Sequence, residues 1–305
     1  MILGDFILEH LGPHLEELAP YMPGEIFPLY FSWEYFQRPL IAAIFIALVA
    51  GLLGSFLLVK NLALIGDGLG HVAFGAIGVG VVVGGLAPIW FAVIACVFAA
   101  IIIDILQEKK WLTGDASIAI FMTGFLGLGL VTLRLYGNES QVKVESYLWG
   151  DLNLLSSYNF EFILWVSIIS YLLMIVFYNW LLSIVIDPIA ALVQGLRVRI
   201  IGLIFSIMSA VVVVAMVQII GVLLVTALLV TPAATAQLVG RSFAGCVILA
   251  QIFAVAIILL GLYLSAENST GTGEMTALVS ALVFAIVATI KLTVVKIITP
   301  MQNNN

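Results

Sequence analysis

Long, uninterrupted apolar runs separated by short polar stretches make up most of this 305-residue chain. A helix that crosses a bilayer needs about 20 apolar residues, and most of these runs reach that length. The apolar residues do not alternate with polar ones at a period of two, which argues against a transmembrane β-barrel. We therefore predict an all-α polytopic membrane protein with eight or nine transmembrane helices. The predicted spans are residues 40–59, 62–84, 88–106, 116–133, 160–182, 200–217, 220–237, 244–264 and 275–297.

The composition excludes most other classes of protein. Hydrophobic residues make up 63% of the chain and charged residues only 9%, a balance that a soluble domain does not carry. Cys96 and Cys246 lie in apolar runs and are expected to pack as small hydrophobic side chains. The chain has no nucleotide-binding glycine loop, no HExxH motif and no GxSxG motif. We therefore expect a transport subunit and not an enzyme, with any ATP hydrolysis on a separate subunit.

The distribution of lysine and arginine predicts the orientation of the chain, because these residues concentrate on the cytoplasmic side. If the spans alternate, one side carries Lys60, Lys109, Lys110, Arg197, Arg199, Arg241, Lys291 and Lys296, and the other side carries Arg38, Arg134 and Lys143. The larger group marks the cytoplasm. Residues 1–38 are then an acidic extracytoplasmic segment, expected as an interfacial helix, before a transmembrane permease domain at 39–298 and a cytoplasmic polar tail at 299–305.

Two histidines in the acidic segment offer an alternative metal site. His10 and His14 lie among glutamates, but Gly12 and Pro13 between them are expected to disturb the helical register. A solvated acidic face is the simpler interpretation of this segment.

The most informative polar feature is the pair Asp67 and His71, four residues apart in the run KNLALIGDGLGHVAFGAIGVGVVVGG. This spacing places both side chains on one face of a helix. A charged side chain at the centre of a bilayer costs about 3 kcal/mol or more, so the pair needs partners or a polar cavity. A carboxylate oxygen and an imidazole nitrogen suit a divalent transition metal ion. The alternative is a polar contact with a neighbouring helix that stabilises packing.

One copy of this pair supplies too few ligands, because zinc takes four and manganese about six. A symmetric dimer would bring two carboxylates and two imidazoles together on its axis. That set completes a tetrahedron, or part of an octahedron completed by water. The ligand count therefore predicts a homodimer.

A second group of residues lies in the predicted cytoplasmic stretch IDPIAALVQGLRVRII. Asp187 suits the N-cap of a helix and Pro188 its first position. The short helix is expected to end at Gly195, before Arg197 and Arg199. These features alone describe an ordinary capped helix in a loop equally well.

Several segments, in order along the chain, resemble the permeases of the ABC-3 family, the manganese, zinc and iron importers of bacteria and archaea. The segments are GLLGSFLLVKNLALIGDGLGHVAFGAIGVG, GDASIAIFMTGFLGLGL, DPIAALVQGLRVR, LLVTALLVTPAATAQL and GLYLSAENSTGTG. The resemblance covers the chain from Phe36 to Lys296 and implies a fold similar to that of type II ABC importers. The segment ENSTGTGEM departs from the family pattern, which often has a proline before the small residues of this loop.

The resemblance also implies roles for particular residues and for partners. Asp67 and His71 match the positions that contact the metal in the pathway. The segment that matches the coupling helix contains Asp187, Pro188, Ala191, Gly195 and Arg197. Family permeases pair with a second copy, a cytoplasmic ABC ATPase dimer and an extracytoplasmic metal-binding solute-binding protein. No tightly bound cofactor and no nucleic-acid partner are expected, and the implied location is the lipid bilayer of a bacterial or archaeal cell membrane.

The sequence is thus interpreted as the permease subunit of an ATP-driven importer of manganese, zinc or iron. A permease for a metal chelate, such as a siderophore or cobalamin, is the first alternative. A proton-coupled secondary metal carrier, in which Asp67 and His71 relay protons, is the second. A structural scaffold of the membrane is the third.

Three minor features have competing interpretations. Pro232 either kinks or breaks its span. Met216 and Gln218 are either ligands or, as we favour, core residues. Residues 145–157 are expected to form an outer docking surface for the binding protein.

Overall fold

The computed structural model describes residues 2–84, 87–136, 155–222 and 225–302, and this part of the chain is predominantly helical. Eight helices in it are long and apolar enough to cross a membrane. In chain order the helices are α1 (Ile2–Leu18), α2 (Leu29–Ser32), α3 (Glu34–Val59), α4 (Ile65–Val83), α5 (Pro88–Glu108), α6 (Gly114–Tyr136), α7 (Ser157–Val176), α8 (Tyr178–Ile186), α9 (Pro188–Val193), α10 (Val198–Ile220), α11 (Val225–Leu229), α12 (Thr231–Val239), α13 (Phe243–Asn268) and α14 (Thr272–Gln302).

The predicted count of eight or nine spans is confirmed, because eight helices of the described residues qualify, and the short helices α11 and α12 form a further apolar stretch. These two helices meet at Val230, just before Pro232. The backbone stays hydrogen bonded through the bend, since Val230 N–H donates to the Thr226 carbonyl at 2.8 Å. The Thr235 hydroxyl also donates to the Thr231 carbonyl at 2.7 Å. The proline therefore produces a kink supported by hydroxyls, the simpler of the two expectations for it.

The predicted span 160–182 is two helices in the structure, because the chain bends at Phe177 between α7 and α8. The sequence there carries no proline or glycine to signal the bend. Aromatic packing holds it: the Tyr178 ring lies 5.6 Å from the Phe56 ring and 6.1 Å from the Phe243 ring. These rings join the ends of α3, α8 and α13 at one end of the bundle.

Helix α3 is the most buried of the long helices and α14 the least. Small residues bring the neighbours of α3 close. A Cβ atom added at Gly51 would lie 2.7 Å from the Ala250 carbonyl oxygen of α13, and one at Gly54 would overlap the Leu229 carbonyl of α11. Because both obstacles are backbone atoms, these positions accept only glycine without separating the helices.

The N-terminal segment differs from its prediction in two respects. Helix α1 continues through Gly12 and Pro13, where a disturbed register was expected. At this point the helix contacts the bundle, because the buried Gln37 side chain donates to the Gly12 carbonyl at 3.4 Å. Helix α3 also begins earlier than expected, at Glu34, since Arg38 pairs with Glu34 at 2.7 Å within its first turns.

A carboxylate at the end of α13 anchors the N-terminal segment to the bundle. Glu267 accepts backbone N–H groups from Glu25 at 3.2 Å and from Ile26 and Phe27 at 2.9 Å each. Gly24 precedes this site with φ of +99°, and a Cβ there would overlap the Glu267 side chain. The turn therefore requires glycine for both backbone conformation and space.

Among the described residues, Lys60 and Arg199 of the larger basic group lie at one end of the bundle and Arg38 of the smaller group at the other. At one end Lys60 lies over the Phe205 ring and Arg199 pairs with Glu108. At the other end Arg38 donates to Ser157. We call these the inner and outer ends, following the prediction that the larger group faces the cytoplasm.

Candidate functional site

Asp67 and His71 are the accessible residues on an otherwise enclosed stretch of α4. From Ile65 to Gly78 all residues of this helix are buried apart from these two. The Asp67 side chain is 35% exposed and the His71 side chain 16% exposed. The one open strip of this stretch therefore presents a carboxylate and an imidazole.

The distance between the two side chains fits a shared metal ion better than a hydrogen bond. Asp67 Oδ1 and His71 Nε2 lie 3.7 Å apart, beyond the usual hydrogen-bond range. Two ligands of a tetrahedral ion at about 2.1 Å would lie roughly 3.4 Å from one another. His71 Nδ1 is buried and has no hydrogen-bond partner. The pair can thus chelate an ion with little movement of either side chain.

The pair lies near the level of the middle of α5. Cys96 Sγ contacts the Leu69 carbonyl at 3.2 Å, which fixes the level of α4 against α5. Cys96 is twelve residues before the end of α5 at Glu108, about 18 Å along a helix that rises 1.5 Å per residue. Leu69 lies between Asp67 and His71 in sequence, so both side chains lie close to this level. Cys96 itself is fully buried, as predicted.

Glycines on α4 hold the pair against neighbouring helices. A Cβ added at Gly75 would overlap the Phe125 carbonyl of α6, and one at Gly68 would overlap the Ile118 side chain. On another face, a Cβ at Gly70 would lie 3.2 Å from the Val222 carbonyl oxygen. We call the contact of α4 with α6 the glycine seam. It gives α4 a backbone-to-backbone contact with α6 that leaves little freedom to slide.

A single copy supplies no third ligand within the described residues. No group of three or more His, Cys, Asp or Glu side chains there is placed to hold a metal ion. The alternative metal site in α1 consisted of His10 and His14. One of these, His10, contacts its own helix instead, since its Nδ1 lies 2.9 Å from the Phe6 carbonyl oxygen. Met216 is fully buried and packs in the core. Gln218 is also buried, but neither polar atom of its side chain has a hydrogen-bond partner.

Helix α9 has the caps that its sequence predicts. Asp187 Oδ1 accepts the N–H groups of Ile189 at 2.9 Å and Ala190 at 3.0 Å. The helix ends at Val193, and two residues later Gly195 has a φ of +84° that lets Leu196 N–H donate back to the Ala191 carbonyl. Pro188 occupies the first position, and Arg197 caps the start of α10.

The exposed surface of α9 is unusually apolar for a helix outside the membrane. Ile189, Leu192 and Val193 are 76%, 64% and 83% exposed, and Ala191 is the buried residue of the helix. Three large apolar side chains on one projecting turn favour insertion into a partner.

A polar network at the inner end is absent from the sequence-based predictions. The Ser206 hydroxyl of α10 donates to Asp104 Oδ1 of α5 at 3.0 Å. The Lys60 ammonium lies 4.9 Å from the centre of the Phe205 ring. Burial lowers the pKa of Lys60, and the negative charge of Asp104 partly opposes that change. The available signal was Asp104 itself, an acidic residue inside an apolar span.

The predicted docking stretch 145–157 lies almost entirely outside the described residues, which resume at position 155. The described outer end nearby carries a hydrogen bond of 2.8 Å from Trp90 Nε1 to the Tyr158 hydroxyl.

Comparisons with known proteins agree with this geometry. Residues 32–291 match the family described as the ABC 3 transport family. The manganese transport system membrane protein MntC of Halalkalibacterium halodurans is 29% identical over 255 residues, which cover 84% of this chain and 87% of that protein. The high-affinity zinc uptake system membrane protein ZnuB of Haemophilus influenzae is 30% identical over 254 residues, covering 83% and 97%. PsaBC from Streptococcus pneumoniae, solved in complex with Fab, has a similar fold, with a TM-score of 0.74, 24% identity and coverage of 90% of this chain and 94% of that chain.

Proposed function

Because this chain belongs to the ABC 3 transport family, we propose that it is the transmembrane permease subunit of an ATP-driven importer of divalent transition metal ions. Its relatives are named for manganese and for zinc transport, and iron has the same ligand preferences within this group. The observation that carries the proposal is the Asp67–His71 pair on the one accessible strip of the stretch of α4 from Ile65 to Gly78.

The metal ion crosses as cargo between two copies of the chain. One copy offers one oxygen and one nitrogen, and a two-fold axis beside α4 doubles this to two of each. That set is sufficient for a tetrahedral ion, while an ion that prefers six ligands takes water as well.

Helix α6 offers the surface on which a second copy would pack. Thr123, Gly124 and Gly127 are exposed, and a Cβ at either glycine would meet no atom within 4 Å. Small residues of this kind allow close approach of helices in lipid. This surface adjoins the glycine seam, so a partner seated on it would stand next to the metal helix.

Helix α9 is the contact with the ATPase subunit. Its apolar side chains Ile189, Leu192 and Val193 enter a cleft of that subunit, while Asp187 and Gly195 keep the helix short and rigid. A solute-binding protein delivers the ion at the outer end. ATP binding moves α9, and the bundle alternates between outward and inward access.

The test is metal uptake by the permease reconstituted with its ATPase and binding protein. Asp67→Ala and His71→Ala are expected to abolish uptake of Mn²⁺ or Zn²⁺ and to leave ATP hydrolysis in place. Val82→Ala, a change on the same helix away from the pair, is the control and should transport normally. Persistent uptake in both variants would mean that the pair is a packing contact. Uptake without ATP in the native protein would instead favour a secondary carrier.

A further inference from the structure

We infer that Lys60, Asp104 and Ser206, together with the Phe205 ring, are positioning residues that transmit the movement of α9 to the metal helix α4. This inference rests on the proposed function, because it takes α9 as the contact with the ATPase. We call these four residues the inner network. None of them touches the ion, and their role is to join the helix that is driven to the helix that carries the ligands.

The first half of the connection runs from α9 into α10. Only residues 194–197 separate α9 from Val198, where α10 begins, and the chain is bonded across this gap by Leu196 N–H to the Ala191 carbonyl. Phe205 and Ser206 lie about two turns into α10. Both are buried, at 1% and 4% exposure, so a movement of α9 that carries α10 also displaces them.

The second half runs from the inner network into α4. Lys60 caps α3, and residues 61–64 are the whole connection to Ile65, the first residue of α4. This connection is tightly constrained. Asn61 takes φ of +55° and Leu62 N–H donates to the Leu57 carbonyl at 2.9 Å. Asp67 follows Lys60 by only seven residues. A displacement of Lys60 is therefore expected to move Asp67, because the chain between them is short and constrained.

The inner network joins α10 to α3 and α5 through contacts that are partly shielded from water. Ser206 bonds to Asp104 at 3.0 Å, and the Lys60 ammonium interacts with the Phe205 ring and with the charge of Asp104. Ser206 is buried and Asp104 is half-buried, so their bond is better shielded from water than an exposed contact, and losing one partner leaves the other unpaired. Such a contact holds α3, α5 and α10 in one relative arrangement until the ATPase changes it.

The same helices also share an exposed ion pair, which serves as a matched control. Arg199 Nε of α10 lies 3.3 Å from Glu108 Oε2 of α5, and these side chains are 67% and 46% exposed. Exposed pairs contribute little, because water and salt screen them. Both contacts join α5 to α10, so they differ mainly in burial.

The experiment measures Mn²⁺ ions transported per ATP hydrolysed, using the complete reconstituted complex. Asp104→Asn and Ser206→Ala are each compared with Glu108→Gln. The two network variants are expected to lower this ratio by about fivefold or more, the lower end of typical coupling between sites, while ATP hydrolysis continues. Glu108→Gln should leave the ratio unchanged. Ser206→Ala removes one hydroxyl and retains the acid, so it provides the test if Asp104→Asn does not fold.

Two results would overturn the inference. One is an unchanged ratio in folded Ser206→Ala protein. A fall in uptake and in ATP hydrolysis by the same factor also leaves the ratio unchanged, and it is the result of a purely structural role. The other is a fall of the ratio in Glu108→Gln as large as in Ser206→Ala, which would mean that burial of the contact does not matter. Native protein and His71→Ala in the same assay separate this from failure of the proposed function. If native protein transports Mn²⁺ with ATP and His71→Ala does not, the proposed function stands whatever the network variants do.

Discussion

Substituting Gly75 by alanine tests whether the glycine seam controls the packing of α4 against α6. An alanine in place of glycine within a helix is normally favourable by about 1 kcal/mol. At Gly75 the added Cβ would overlap the Phe125 carbonyl oxygen and lie 3.2 Å from the Leu126 amide nitrogen. Backbone atoms cannot rotate away, so α4 and α6 must separate, and overpacking of this kind costs about 1–3 kcal/mol.

The matched control is Gly202→Ala on α10, where a Cβ would meet no atom within 4 Å. The free energy of unfolding is measured for both variants by denaturant titration in detergent micelles. We expect Gly75→Ala to be about 1–3 kcal/mol less stable than Gly202→Ala, since only the first carries the steric term. Equal stabilities for the two variants would refute the argument that the seam is a backbone-to-backbone contact.

Three further changes test other parts of the structure. Glu267→Ala removes the acceptor of three backbone N–H groups, so limited proteolysis should cut the N-terminal segment faster than in a Glu274→Ala control, and equal rates would argue against the anchor. Asn61, at φ of +55°, should tolerate Asn61→Gly, whereas Asn61→Val should lower stability by about 1–2 kcal/mol in the same denaturant titration; equal effects would exclude backbone strain as the cause. Asp187→Ala removes a cap worth about 1 kcal/mol and should weaken co-purification with the ATPase, whereas Asp187→Ser should retain it, and equal losses would mean that capping is not the relevant property.

The long spans were predictable because an uninterrupted run of about 20 apolar residues indicates a membrane-spanning helix. The caps of α9 were predictable for a different reason, since Asp187, Pro188 and Gly195 act on the backbone within a few residues of their own position. In both cases the determining interactions are local. The roles of Asp67 and His71 remain predictions, although the structure supplies the accessible strip on which they lie.

Features that depend on distant contacts were missed. The bend at Phe177 is set by rings from α3 and α13, and nothing in the adjacent sequence signals it. The contact of α1 with the bundle at Gly12 involves the Gln37 side chain, more than twenty residues away. The bond from Ser206 to Asp104 joins helices that are about a hundred residues apart in the chain. The sequence showed an acidic residue, Asp104, within an apolar span, but it did not show that Ser206 is its partner.

The apolar tip of α9 has a consequence for how the cell makes this protein. If α9 binds the ATPase as proposed, Ile189, Leu192 and Val193 are exposed whenever the subunit is without that partner. An unassembled copy therefore carries an exposed hydrophobic surface of the kind that chaperones and quality-control proteases recognise. Surplus permease would be cleared from the membrane, and its abundance would follow that of the ATPase. Balanced synthesis of the two subunits is thus built into the surface that joins them.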